Sequence, residues 1–225
     1  MGNRMNLKYV THKREVFFEV ATKYINDTTV VLDVGAGKGD FSNFHKSSDF
    51  YLLDGNEETV AFLKEKQHKN VYSGMLPQLP FESNFFDVIH CSHVVEHLYP
   101  EQFYETLKEM NRCLKAGGVL IISAPLFWDD FYNDLSHIRP YPPVIFKNYL
   151  CTNSNGPRTR VVIDSSYEML EEIYRYKKEK FFADLTINST SFLSKLVLKI
   201  LSGFERMGLK FYKKTGYTIV LKKKH

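Results

Sequence analysis

Long apolar runs are missing from this 225-residue chain: none approaches the ~20 consecutive apolar residues needed to span a bilayer. Cysteine is scarce and scattered. Its three copies, at 91, 113 and 151, are odd in number and lack ligand spacing, which excludes a disulfide scaffold and a cysteine-cluster metal site. A reducing cytoplasm is the expected home. The N-terminal stretch MGNRMNLKYVTHKREVFF is basic but has no continuous apolar segment, so it does not read as a signal peptide. Tryptophan occurs once, yet aromatic content reaches 15% and apolar content 44%, too high for a disordered chain. Charge of one sign is also lacking. The net charge is +4, but residues 1–14 hold four basic side chains and no acid, and residues 195–225 hold nine basic and one acidic. The middle, 15–194, therefore carries −8. Basic ends around an acidic centre exclude a uniformly basic nucleic-acid binder, and no nucleic acid is expected as partner.

What is present is an alternation. Residues 12–26 read as a helix. VVLDV (30–34) is a short β-branched run that breaks into glycines, the pattern of a buried parallel strand entering a tight turn. A short helix follows, then the strand DFYLLDGN, a helix over 57–67, the strand NVYSG and the apolar strand FFDVIHCSHV. Phe103, Leu107, Met110 and Leu114 recur at helical spacing in 100–115, Ala116-Gly117-Gly118 ends that helix, and VLIISAP is a fifth strand. Strands alternating with helices indicate βαβ units and a mostly parallel, doubly wound, Rossmann-like sheet with helices on both faces. Beyond Pro125, FWDDFYNDLSHIRPYPP reads as a structured loop, TRVVID as a strand, 166–182 and 190–208 as helices, and GYTIVLKKK as the last strand. We read a single domain over 1–225: a core over 30–125, a loop region over 126–160, and C-terminal strands with a helical insertion over 161–225.

The sharpest local signal is Asp33-Val34-Gly35-Ala36-Gly37-Lys38-Gly39-Asp40. Glycines at 35 and 37 let the backbone turn and approach a ligand with no Cβ in the way. Asp54 closes the next strand, where an acid can accept from both hydroxyls of a ribose. A dinucleotide fingerprint would place a small residue where Asp40 stands, and a phosphate loop needs Lys-Ser/Thr where the chain has Lys38-Gly39. A carboxylate at Asp33 suits a cationic ligand group better than a pyrophosphate. The residues lean toward a nucleoside with a positively charged amino-acid tail.

VLDVGAGKGDFS, YLLDGN, LPFESNFFDVIHCSHVVEHL and EMNRCLKAGGVLIISAP resemble, in order and spacing, the successive motifs of the class I S-adenosylmethionine-dependent methyltransferases, type 11-like. That resemblance covers residues 30–125. It implies a seven-stranded sheet, with S-adenosyl-L-methionine as cofactor. It implies that Asp33, Gly35, Ala36 and Gly37 hold the methionine part and that Asp54, Gly55 and Asn56 lie at the ribose. Met75 and Leu76 would flank the adenine, and Ser92 and His93 would line the pocket. Many members carry an acid where this chain has Met75, so one adenine contact differs here.

His93-Val94-Val95-Glu96-His97 also spells the inverted zinc-peptidase pattern. The segment follows a buried strand and precedes Leu98-Tyr99-Pro100, which leaves little helix, and no third-ligand motif follows. No metal is expected, and His97 is read as a cleft-lining residue on the substrate side.

Methyl transfer from a sulfonium requires chiefly alignment of the two reactants, and a hydroxyl acceptor adds the need for a base. The loop after the fifth strand should lie over the sheet edge. His137 is the base candidate there, because imidazole titrates near working pH. Trp128, Tyr132 and Arg139 are candidate acceptor contacts, the aromatics for a sugar face or ring and the guanidinium for a carboxylate or phosphate. YNDLSHIRPYPP resembles a segment of methyltransferases in glycan and surface-polysaccharide assembly, which implies a glycan or small-molecule hydroxyl. RNA or protein methylation, and a non-catalytic cofactor-binding partner protein, are the alternatives. Phe192, Leu193, Leu196, Val197, Ile200, Leu201, Phe204 and Met207 recur at helical spacing among lysines over 192–207. Such a stripe packs on the domain or a second copy of the chain in a homodimer, or lies on an anionic membrane.

Overall fold

Val30–Val34 forms β1, buried over its last four residues and flanked by parallel partners on both sides. Its neighbours are β2 (Asp49–Asp54) and β4 (Phe86–Ser92). The computed structural model describes residues 6–45, 49–151, 159–179, 191–206 and 211–224. Among them, β3 (Asn70–Ser73), β5 (Leu114–Pro125), β6 (Tyr167–Glu179) and β7 (Phe211–Lys223) complete one seven-stranded sheet in the order β3-β2-β1-β4-β5-β7-β6. The first five strands are parallel; β7 runs antiparallel to both β5 and β6. Strand order reverses between β1 and β4, and in doubly wound sheets ligands bind outside the carboxyl ends at such a point.

The two faces of the sheet bury different clusters, as the period of two along a strand requires. In β5, Leu120, Ile122 and Ala124 meet Phe103, Leu107 and Met110 of the helix Pro100–Cys113, here α4; α1 is Glu15–Phe18, α2 Asp40–Phe44 and α3 Glu57–Glu65. Val119 and Ile121 pack the opposite way, with Phe18, Val20, Ala21 and Phe41. The predicted helix over 12–26 is thus α1 continued by a 3-10 segment, Glu19–Tyr24.

Two predicted elements differ. TRVVID is not a strand: Ile163 and Asp164 N–H both donate to the Tyr149 carbonyl, which ties the segment to the π-helical stretch Lys147–Cys151 that follows α5 (Pro143–Phe146) and leaves no ladder. The helix expected over 166–182 is not formed where the structure describes it: 180–182 lie outside the described residues, and Tyr167–Glu179 is β6, the edge strand. Its Glu, Lys and Met content favours helix in isolation, but β7 offers a full antiparallel template, and pairing overrides that propensity. The predicted C-terminal helix is present as α6, Phe192–Arg206. Met207 of its apolar stripe lies outside the described residues. No helix among the described residues is long and apolar enough to cross a membrane.

Candidate functional site

A cleft of about 390 Å³ opens at the β1/β4 switch point, within the ~300–1,000 Å³ usual for ligand pockets. Its floor is the turn after β1. Gly35 has φ +71°, a conformation that glycine adopts freely, and a Cβ there would stand 2.3 Å from the Val94 side chain. Gly35 and Ala36 N–H both donate to the Leu53 carbonyl, which staples the turn to β2. Gly37, at φ +54°, faces open space, with nothing within 4 Å of where a Cβ would stand.

Asp54 is the main polar group of the cleft. Its Oδ2 accepts from Gly37 N–H and its Oδ1 from Asn56 N–H, each at 2.9 Å. Two backbone donors fix the carboxylate, and each oxygen keeps a lone pair for an incoming hydroxyl. Gly55, Met75 and Leu76 line the wall beside it, with Gly74, Leu53 and Val34. Met75 is 74% exposed and offers apolar surface to a planar ring. At the other end stand His93, Val94, His97, Leu98 and Gln102.

Gly35, Asp54, Gly55, Met75, Leu76, His93 and His97 therefore converge as the sequence leads one to expect, and others do not. Asp33 is 3% exposed, and its Oδ1 pairs with His90 Nδ1 at 2.7 Å, beneath the turn rather than in the cleft. Phe41 stacks on His90 at 3.6 Å and closes that pocket. Direct contact between Asp33 and a ligand is thus corrected to support of the turn from below. Ala36 packs on Leu52 and Leu63. Asn56 spends its side-chain oxygen capping α3, accepting from Glu58 and Thr59 N–H. Ser92 ends β4 and does not line the cleft.

The loop after β5 puts its residues to varied use. Trp128 carries the Lys177 ammonium over its ring at 4.7 Å, and Tyr132 packs its ring against Phe131. The Arg139 guanidinium lies over Tyr141. None of these three lines the cleft. His137 sits next to it: its ring lies 4.9 Å from that of His97, and its Nδ1 is 2.6 Å from the Phe131 carbonyl.

The sequence gives little sign of three participants. Glu96 is fully buried and accepts from His93 Nδ1 at 3.1 Å. Arg175, from the strand read as helix, reaches across to donate to His93 Nε2 at 2.9 Å. Gln102 lines the cleft while accepting from Tyr99 N–H. The Glu96-His97 doublet beside a strand end was the one readable signal. Burial lowers the pKa of His93 against the raising effect of Glu96, so the ring stays neutral and relays Arg175 to Glu96.

With this geometry in place, residues 32–122 match a family described as a methyltransferase domain. A solved S-adenosylmethionine-dependent methyltransferase from Archaeoglobus fulgidus superimposes with a TM-score of 0.59 over 94% of this chain and 95% of that one, at 23% identity. An uncharacterised protein of Methanocaldococcus jannaschii is 33% identical over 109 residues, 47% of this chain and 46% of its own length. A ubiquinone/menaquinone biosynthesis C-methyltransferase of Neisseria meningitidis is 26% identical over 121 residues, 49% of each chain. The chain spans about half the length of these two curated relatives. Residues 32–122 are thus similar to a methyltransferase domain, and the chain has the fold of solved methyltransferases whose cofactor is S-adenosyl-L-methionine. The residues fit it: the Asp54 carboxylate suits ribose hydroxyls, the Met75 and Leu76 surface beside it suits a planar base, and the bare backbone of Gly35 in the cleft wall suits the close approach of a tail.

Proposed function

We propose that the chain is a methyltransferase that moves a methyl group from S-adenosyl-L-methionine to a hydroxyl of a small molecule or glycan. The observation that carries this reading is the layout of one cleft, with a backbone-fixed Asp54 at the nucleoside end and His97, backed by His137, at the other. When bound, the cofactor supplies a methyl group on a positive sulfur, already electrophilic. Asp54 holds its ribose, the Gly35–Gly37 backbone receives its tail, and Met75 and Leu76 exclude water from the ring. The chain's remaining task is to align an acceptor oxygen and draw off its proton. His137 is suited to that end, since its Nδ1 is anchored on a carbonyl and its Nε2 is left as acceptor.

Turnover on a panel of sugars and small hydroxyl compounds tests this. His137→Ala should lower kcat by about 100-fold or more while leaving the cofactor KM in place. Unchanged turnover in the variant removes His137 from the chemistry. The name of the Neisseria relative favours a second reading, transfer to an activated carbon, and a methylated carbon in the product would establish it instead.

For α6 we infer a peripheral contact with an anionic membrane. Phe192, Leu193 and Ile200 are 80%, 71% and 55% exposed, so these residues do not pack on the domain, and Lys195 and Lys199 are exposed beside them.

A further inference from the structure

At the acceptor end of the cleft, a carboxylate oxygen of Glu96 and one ring nitrogen each of His97 and His137 lie within 4.8 Å of one another. The two imidazoles are held alike. His97 Nδ1 meets the Ser136 carbonyl at 3.1 Å, and His137 Nδ1 meets the Phe131 carbonyl at 2.6 Å. A carbonyl only accepts, so each Nδ1 carries the proton and each Nε2 keeps its lone pair. Glu96 is oriented from behind. Arg175 donates to His93 Nε2, which puts the His93 proton on Nδ1, and that proton goes to Glu96 Oε1. Glu96 Oε2 is buried and has no hydrogen-bond partner, although its side chain is fully enclosed.

We propose that Glu96, His97 and His137 bind a divalent first-row transition cation. Imidazoles anchored through the outer nitrogen, and a carboxylate steered by a second hydrogen bond, are what metal ligands require of their surroundings. A buried carboxylate oxygen without a donor is costly, and a cation removes that cost. Two imidazole nitrogens with one carboxylate suit zinc, iron, cobalt or manganese, whereas calcium and magnesium take oxygen shells. Three protein ligands leave positions open, and His97 lines the cleft, so the open side faces an acceptor oxygen. Asp134 stands 3.9 Å from His137 Nε2 as an outer carboxylate. The ligand set is not the H-x-x-E-H pair. Val95–His97 is a 3-10 turn, His93 has φ +57°, and both His93 nitrogens are engaged. With the ion in place His137 ligates, and the ion takes over the polarising of the acceptor oxygen. This role rests on the methyltransferase reading; the ligand geometry does not.

The test is metal binding by the full chain, free of tags and stripped with a chelator. Zn²⁺ and Co²⁺ are titrated by calorimetry, and Co²⁺ also by its visible absorption. One ion per chain is expected, with no heat from Mg²⁺. His97→Ala and His137→Ala should each weaken binding by more than ~10-fold, while His12→Ala, an exposed histidine elsewhere, changes nothing. Should Glu96→Gln fail to fold by circular dichroism, the two histidine variants decide alone. No stoichiometric binding by folded protein, or equal binding by the His97→Ala/His137→Ala double variant, overturns the proposal. S-adenosylhomocysteine titrated into the metal-free protein separates the two readings. Nucleoside binding without metal binding sinks only the ion, and metal binding without nucleoside binding sinks only the cofactor reading.

Discussion

Asp33 and Asp54 look equivalent in the sequence, two acids flanking a glycine turn, yet they do different work. Asp54 faces the cleft and is set by two N–H donors; Asp33 is sealed under the turn against His90. Removing one partner of a buried pair costs about 3–5 kcal/mol. At ~2–4 °C per kcal/mol for a chain of this size, Asp33→Ala should lower Tm by roughly 10 °C. Asp54→Ala should leave Tm nearly unchanged and weaken nucleoside binding. Thermal melts of both variants check this; equal Tm values would return Asp33 to the ligand. A third carboxylate sets an acid limit. Glu109 accepts from Arg112 at 2.8 Å through both oxygens, which holds its pKa below the ordinary 4.5. A depressed folded pKa gives stability that is whole above the ordinary value and lost as pH falls through the folded one. The Tm gap between wild type and Glu109→Gln should therefore close as pH drops below about 4.5; a gap that is absent, or that stays the same across this range, would mean the pair contributes nothing.

Strands with continuous apolar runs were legible because burial on both faces leaves no other pattern. Val30–Val34 and Phe86–Ser92 appear where their composition puts them. The edge was not legible. Tyr167–Glu179 is half exposed, mixes Glu and Lys with Tyr, and takes its form from β7, a partner thirty or more residues away in sequence. Arg175 was lost with it, and so was the chain of contacts from that strand to Glu96. The α6 stripe was legible as a helix, but the exposure of Phe192, Leu193, Leu196, Val197 and Ile200 was not. Co-sedimentation with vesicles rich in anionic lipid should capture the wild type and release Leu196→Glu, with the loss growing at high salt. A protein that stays in solution but sediments as a dimer would assign the stripe to a second copy instead.

At the scale of the molecule, the sheet order brings the ends of β1, β2 and β4 to one rim, and the loop after β5 carries His137 to the same rim. The end of the cleft around Asp54 comes from sequence neighbours in turns, which is why motifs reveal it. The other end joins 93–97, 137 and 175, and only the folded chain brings those together. A ligand that binds only the native state stabilises it by ~2.7 kcal/mol at a hundred times its Kd. Saturating S-adenosylhomocysteine should raise Tm by about 5–10 °C at the slope above. The most direct measurement is isothermal calorimetry of S-adenosylhomocysteine against wild type and Asp54→Ala, with NADH as control. Saturable one-to-one binding is expected in the wild type. Asp54→Ala should bind about 10–100-fold more weakly, as expected from lost hydrogen bonds to a charged group, and NADH should give no heat. Binding of NADH but not of S-adenosylhomocysteine, or equal affinity in Asp54→Ala, would contradict the cofactor site described for this cleft.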